Sequence, residues 1–199
     1  MADDQRSGKI AFVAHCLLNQ NAKVAGTASW PAMVTPVIDI LSQADVGIVQ
    51  MPCPEVEHLG VSRPTGEDTK EQYDNPEYRI CCLRLAQHVV GQAQQYVNAG
   101  CQVVCVLGVE GSPSCSVTTV PIRKGPAEGS GVFFEILQAE FRKADLEIPV
   151  IGIPEAADMS QALAQVRRAL PTPHLMNTDQ TLRTSDRDCT LGEMFQSRN

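Results

Sequence analysis

Four short Val/Ile-rich runs alternate with amphipathic helical segments along most of this 199-residue chain, and three of the runs are nearly continuously apolar. That alternation predicts an α/β fold, a Rossmann-like layered domain with a mostly parallel sheet flanked by helices on both faces. Right-handed crossovers then carry each strand to the next.

The predicted strands are residues 9–15 (KIAFVAH), 46–51 (VGIVQM), 102–107 (QVVCVL) and 149–153 (PVIGI). Pro31 opens a helical segment over about residues 33–43. Asn75-Pro76-Glu77 supplies an N-cap, a first-turn proline and an acidic start for a long helix to about Ala99, which Gly100 ends. Ser130 is placed to cap a helix over residues 132–144, where Val132, Phe133, Ile136, Leu137 and Phe141 keep helical spacing. Asp158 is placed to cap a last helix ending near Leu170.

The pattern delimits one α/β domain over residues 9–170, preceded by a disordered tail of residues 1–8. Residues 171–199 form a polar appendage in which Leu175, Met176, Leu182, Leu191, Met194 and Phe195 are the only large apolar anchors. The size suits a single domain, and no repeat or low-complexity tract interrupts it.

Lys and Arg total 16 against 23 Asp and Glu, a formal charge of -7, which disfavours a diffuse basic surface for nucleic acid and favours a small-molecule partner. No apolar stretch approaches the roughly 20 residues needed to span a bilayer, and the polar start lacks a signal peptide's apolar segment. A cytoplasmic location is expected. Eight cysteines in a reducing compartment more often ligate metal, react or fill the core than form disulfides.

Ligands of open parallel sheets sit beyond the carboxyl ends of the strands. Cys16 directly follows the first predicted strand, Cys53 lies just past the second, and Cys115 closes the loop after the third. The other five have simpler explanations as small buried hydrophobes: Cys101 and Cys105 bracket a strand, Cys81 and Cys82 share the long helix, and Cys189 falls in the appendage. Taken alone, the dispersed trio is a weak signal, for which three scattered structural thiols are the better account. Local context separates it, with Pro52-Cys53-Pro54 in a stiff backbone and Ser112-Pro113-Ser114-Cys115 wrapping its thiol in small residues.

Cys16-Leu17-Leu18, Cys53-Pro54-Glu55 and Ser112-Pro113-Ser114-Cys115, in that order and each after a strand, resemble the motifs of the thiouracil desulfidase (TudS) family over roughly residues 9–155. The resemblance implies a 4Fe–4S cluster with Cys16, Cys53 and Cys115 as its cofactor-binding metal ligands and one open iron site. It also implies that Glu55 is the catalytic carboxylate and Ser112 a polar residue at the site. The implied activity is an iron–sulfur-dependent desulfidase, which removes sulfide from a small thiocarbonyl compound such as a thiolated nucleobase, nucleoside or nucleotide by non-redox hydrolysis. The chain departs from the family where Asn19 to Gly26 replace the usual continuation to RYDG, where Glu57-His58-Leu59-Gly60 precedes Arg63-Pro64, and where Ser116 follows the third ligand.

Two other chemistries use the same cysteines: a non-catalytic sensor of sulfide or oxidants, and a zinc hydrolase with three thiolates and a water. Ser112 is as well suited to local backbone bonding as to the substrate. Gly129-Ser130-Gly131, after Arg123-Lys124-Gly125, offers either a connector or a phosphate-receiving helix start. His15 and His58 flank the predicted mouth without an assigned role, and Asn19, Gln20 and Asn21 are polar loop residues within reach of a ligand.

Overall fold

The structure is a computed structural model and describes residues 4–63 and 66–171. Its sheet is built of β1 (Lys9–Val13), β2 (Gly47–Gln50), β3 (Gln102–Val109) and β6 (Val150–Ile153), all parallel, in the order β2-β1-β3-β6. The predicted α/β layered fold is therefore the one observed. All four predicted strands are present, with ends that differ by one or two residues.

Every residue of β3 after Gln102 is buried, and so are the last four of β1. Successive strand residues point to opposite faces, so burial at consecutive positions means both faces of these central strands are covered. The edge strand β2 carries an exposed or partly exposed pattern instead. Long helix α5 (Pro76–Asn98) packs on α6 (Val132–Lys143) and β3, while α2 (Thr35–Gln43) packs on α7 (Ser160–Ala169), which also meets β6.

Asn75 does cap α5, accepting from the Tyr78 amide at 2.9 Å, an interaction worth about 1 kcal/mol. Asp158 stands one residue before the N-cap of α7, which is Met159, and its Oδ1 accepts from the Ser160 amide at 2.9 Å. Ser130 does not cap α6: Gly131 occupies the N-cap, and the Ser130 hydroxyl donates to the Val117 carbonyl at 2.8 Å.

Short elements absent from the prediction surround the sheet's carboxyl edge. They are α1 (His15–Leu18), a 3-10 turn at Gln20–Ala22, α3 (Pro54–Leu59), α4 (Lys70–Tyr73), and an antiparallel hairpin of β4 (Thr119–Ile122) and β5 (Gly125–Glu128). Helices of four to six residues leave too little sequence for a periodic signal. Arg123 and Lys124 are the hairpin's turn, and Arg123 pairs with Glu67 at 2.8 Å. Residues 1–3 and 172–199, with the whole anchor set of the appendage and Cys189, lie outside the described residues.

Candidate active site

The first strand end runs from β1 into α1, and Cys16 stands in that helix's first turn. Cys53 is the N-cap residue of α3, three residues past the end of β2, with Pro54 at the first helical position setting its backbone. The Cys115 loop folds back on β3: the Val109 amide donates to the Cys115 carbonyl at 2.9 Å, and Ser112 Oγ accepts from the amides of Ser114 (3.2 Å) and Cys115 (3.0 Å). Because β2, β1 and β3 are neighbours in the sheet, their carboxyl ends lie about 5 Å apart in succession. Three cysteines separated by tens of residues consequently line one cavity of 280 Å³, together with Glu55 and Ser112.

Two glycines let the third cysteine reach this place. A Cβ on Gly131 would sit 2.4 Å from the Ser114 carbonyl carbon and 2.8 Å from the Cys115 nitrogen, and one on Gly108 would sit 2.5 Å from the Cys115 oxygen. The Cys115 loop is thus pressed between the end of β3 and the start of α6. Its carbonyls take up the free amides there: Gly131 donates to Ser116, Val132 to Pro113, and Phe133 and Phe134 to Ser114, at 3.0–3.1 Å. The Gly129-Ser130-Gly131 segment is therefore a packing device, since the amides a phosphate would need already have partners.

Cys16 and Cys53 are half-buried and Cys115 is buried. Burial pushes all three thiols above their ordinary range; the next contributors are Glu155 at Cys16, Glu55 at Cys53, and the Cys16 and Cys53 thiols at Cys115. The trio thus lies within electrostatic reach of itself. Lys23 opposes the shift at Cys16 and Arg63 opposes it at Cys53, but both cations are engaged in ion pairs. A metal-based cation is the partner that turns buried thiols of this kind into thiolates. Among the described residues, no three His, Cys, Asp or Glu side chains converge as ligands of a single metal ion. A cluster, which takes each thiolate on a different iron, does not require that convergence.

Glu55 is buried beside its cysteine in a pair with Arg63, whose Nη2 and Nε donate to the same oxygen, Oε2, at 2.8 and 3.1 Å. Burial raises the Glu55 pKa against the opposing charge of Arg63. Arg63 Nη1 is buried without a partner among the described residues. A second ion pair, Lys23–Glu155, lines the same cavity. Glu155 lies two residues past β6, so each of the four parallel strands ends at a residue of this site. Gln20 braces it, donating from Nε2 to Glu155 Oε1 (2.6 Å) and to the Cys16 carbonyl (2.8 Å), while its Oε1 accepts from the Ser29 and Trp30 amides.

Lys23, Arg63 and Glu155 escaped the reading of the sequence. The signal for Glu155 was available: Ile-Pro-Glu after the last strand repeats the strand-end placement that singled out the cysteines. Gln20 is a buried brace, and Asn19 serves its own turn by accepting from the Asn21 amide at 3.1 Å. His58 packs edge-on against Tyr78 with centroids 5.3 Å apart, and His15 Nδ1 lies 2.9 Å from Gln50 Nε2. Neither imidazole is among the residues lining the cavity. Cys82 and Cys105 are core residues, as their apolar settings suggested.

No protein-family model matches the chain. Over 147 residues it is 31% identical to the uncharacterized protein MJ0003 of Methanocaldococcus jannaschii, an alignment that spans 74% of this chain and 86% of the archaeal one. The chain belongs to the family of MJ0003. Among solved structures, a protein described as the 4Fe-4S-dependent thiouracil desulfidase TudS aligns at a TM-score of 0.49 and 21% identity, covering 81% of this chain and 97% of that one. Among the described residues of this MJ0003 relative, no helix is long and apolar enough to cross a membrane.

Proposed function

We propose that the protein is a desulfidase that hydrolyses a small thiocarbonyl compound, such as a thiolated nucleobase, nucleoside or nucleotide, with Cys16, Cys53 and Cys115 holding a 4Fe–4S cluster. One observation carries the proposal: three thiols from three adjacent strand ends, two half-buried and one buried, line a single cavity beside a buried carboxylate. The order and spacing of the motifs around those thiols, which resemble the desulfidase family's, support it from the sequence side.

The overall reaction exchanges sulfur for oxygen: thiocarbonyl and water give carbonyl and hydrogen sulfide, with no change in electron count. With three protein ligands, a bound cluster supplies an open iron, a Lewis acid suited to a soft sulfur. Glu55 manages the proton. Because both Arg63 bonds end on Oε2, Oε1 has no share in the ion pair and is the oxygen that takes a proton from water or returns one to a ring nitrogen. Burial favours the protonated form of Glu55 and the Arg63 charge favours the carboxylate, opposing influences suited to a group that accepts and releases that proton. Ser112, whose oxygen already accepts from the Ser114 and Cys115 amides, fixes the third ligand and keeps its own hydrogen for sulfur or substrate.

The test is anaerobic reconstitution followed by iron and acid-labile sulfide analysis and a sulfide-release screen over thiolated bases, nucleosides and nucleotides. The expected result is brown protein that releases sulfide over many turnovers, with loss of both properties in Cys16→Ala, Cys53→Ala and Cys115→Ala. Stoichiometric zinc in a colourless protein, or turnover unaffected by the three substitutions, refutes the assignment.

A further inference from the structure

Tyr78 on α5 does not line the cavity, yet it touches two of the segments that build it. Its ring is buried, edge-on to His58 and tilted against Tyr73, with centroids 5.3 Å apart in each case. His58 belongs to α3, the helix that Cys53 caps and that carries Glu55. At the far end of the ring, Tyr78 Oη lies 2.6 Å from Oγ of Ser114, the residue before Cys115, and both side chains are buried.

The backbone of Ser114 is fully engaged, its amide donating to Ser112 Oγ at 3.2 Å and its carbonyl accepting from Phe133 and Phe134. The direction of its hydroxyl hydrogen is therefore set by side chains. Burial raises the Glu55 pKa, and Arg63 and then a hydrogen bond from Ser114 oppose that rise. A hydroxyl owns one hydrogen, and an ionised carboxylate is a stronger acceptor than a phenol oxygen. The Ser114 hydrogen accordingly goes to Glu55, and the Tyr78 hydrogen goes to the Ser114 oxygen. Burial pushes the Tyr78 phenol far above its ordinary range, so that hydrogen is always present. Cys82, one turn along α5, also reaches the Tyr78 hydroxyl, but burial pushes its thiol up to about 12, and a thiol is a weak acceptor.

We propose that Tyr78 is a positioning residue for the desulfidase reaction assigned above, on which this inference rests: Tyr78 donates to Ser114, Ser114 donates to Glu55, and the two bonds aim the carboxylate from outside the cavity. Arg63 grips Glu55 at Oε2 from one side. The Ser114 bond is a second tether, and it comes from the Cys115 loop, so Glu55 is fixed relative to that cysteine as well as to its own helix. Hydroxyls in such a chain polarise one another, and loss of the first bond weakens the second.

Tyr78→Phe keeps the ring and its packing and deletes only the hydroxyl. On cluster-reconstituted protein, sulfide release from 4-thiouracil, or from the thiolated base or nucleoside that the screen above finds fastest, is expected to lose roughly tenfold in kcat at little-changed KM, the split expected of a group that touches no substrate. In a Glu55→Gln background the same substitution is expected to cost no further turnover, because the group it positions is gone, whereas a damaged fold would go on lowering activity. A second readout is independent of turnover. The chain has three tyrosines, so 13C labelling at the phenol carbon gives three signals, and Tyr78→Phe identifies one of them. Ser114→Ala is expected to shift that signal, and Glu55→Gln is expected to shift it more when Ser114 is present than when it is alanine. Ser114→Ala cuts the chain at its middle and carries the test if Tyr78→Phe fails to fold, with Tyr73→Phe and Tyr96→Phe identifying the Tyr78 signal by elimination. Wild-type kcat in Tyr78→Phe, an equal loss in the Glu55→Gln background, or a Tyr78 signal indifferent to Ser114→Ala or to Glu55→Gln overturns the proposal. Failure of the wild type to release sulfide from every compound removes the desulfidase assignment instead, and the tyrosine signal still judges the bonded chain.

Discussion

Replacing Gly131 by alanine isolates the contact that seats Cys115. The added methyl group would lie 2.4 Å from the Ser114 carbonyl carbon, 2.6 Å from its oxygen and 2.8 Å from the Cys115 nitrogen. All three are backbone atoms, so no side chain can swing aside. The backbone angles at Gly131, φ -67 and ψ 160, suit alanine, so the perturbation is steric and not conformational. Overpacking of this kind costs about 1–3 kcal/mol, and loss of one of the amide–carbonyl bonds between α6 and the loop adds about 1 kcal/mol. Reduced freedom of the unfolded chain returns about 0.4–1 kcal/mol. A net destabilisation of about 1–3 kcal/mol follows, read as a lower urea midpoint at unchanged slope in the metal-free protein. Since Cys115 moves with its own amide, iron content after reconstitution should fall too. Gly91→Ala is the control: a Cβ there, at a half-buried position of α5, meets nothing within 4 Å, and alanine should stabilise by up to about 1 kcal/mol. A Gly131→Ala protein with wild-type midpoint and iron content would refute the packing account.

Glu55→Gln should leave cluster content intact and lower turnover by about 10²–10⁴-fold, measured as sulfide release; undiminished turnover rejects the proton-transfer role. Arg63→Ala strands a buried carboxylate and should cost about 3–5 kcal/mol in urea denaturation, with Glu55→Gln in the same chain recovering part of the loss. For pH, burial raises the Cys82 and Cys105 thiols from 9.0 to about 12. Between those values the unfolded chain has released protons that the native chain retains, so stability falls as pH rises. The metal-free protein should show no loss from these groups below pH 9 and a declining denaturation midpoint from there to about 12. Cys105→Ala should flatten that decline, and an unchanged alkaline slope would show that the thiol is not held neutral.

The sequence by itself determined the sheet, the long helices and the strand-end position of the three loop cysteines. Strand burial on both faces leaves an unbroken apolar run at β3, helix α5 announces itself through Asn75 and Pro76, and a thiol just past a strand end needs no partner in view to be noticed. Local chemistry writes these features into contiguous residues. Tertiary structure decided the rest, because the remaining parts of the site are relations between distant segments. Arg63 matters through Glu55, Lys23 and Gln20 through Glu155, and Gly131 through the backbone of a loop 15 to 17 residues earlier. Such a residue carries no mark of its own in the sequence. An ion pair, a brace or a close backbone contact exists only once parallel pairing has brought the ends of β2, β1, β3 and β6 to one edge, where burial makes every unpaired charge costly and so fixes which partners must meet.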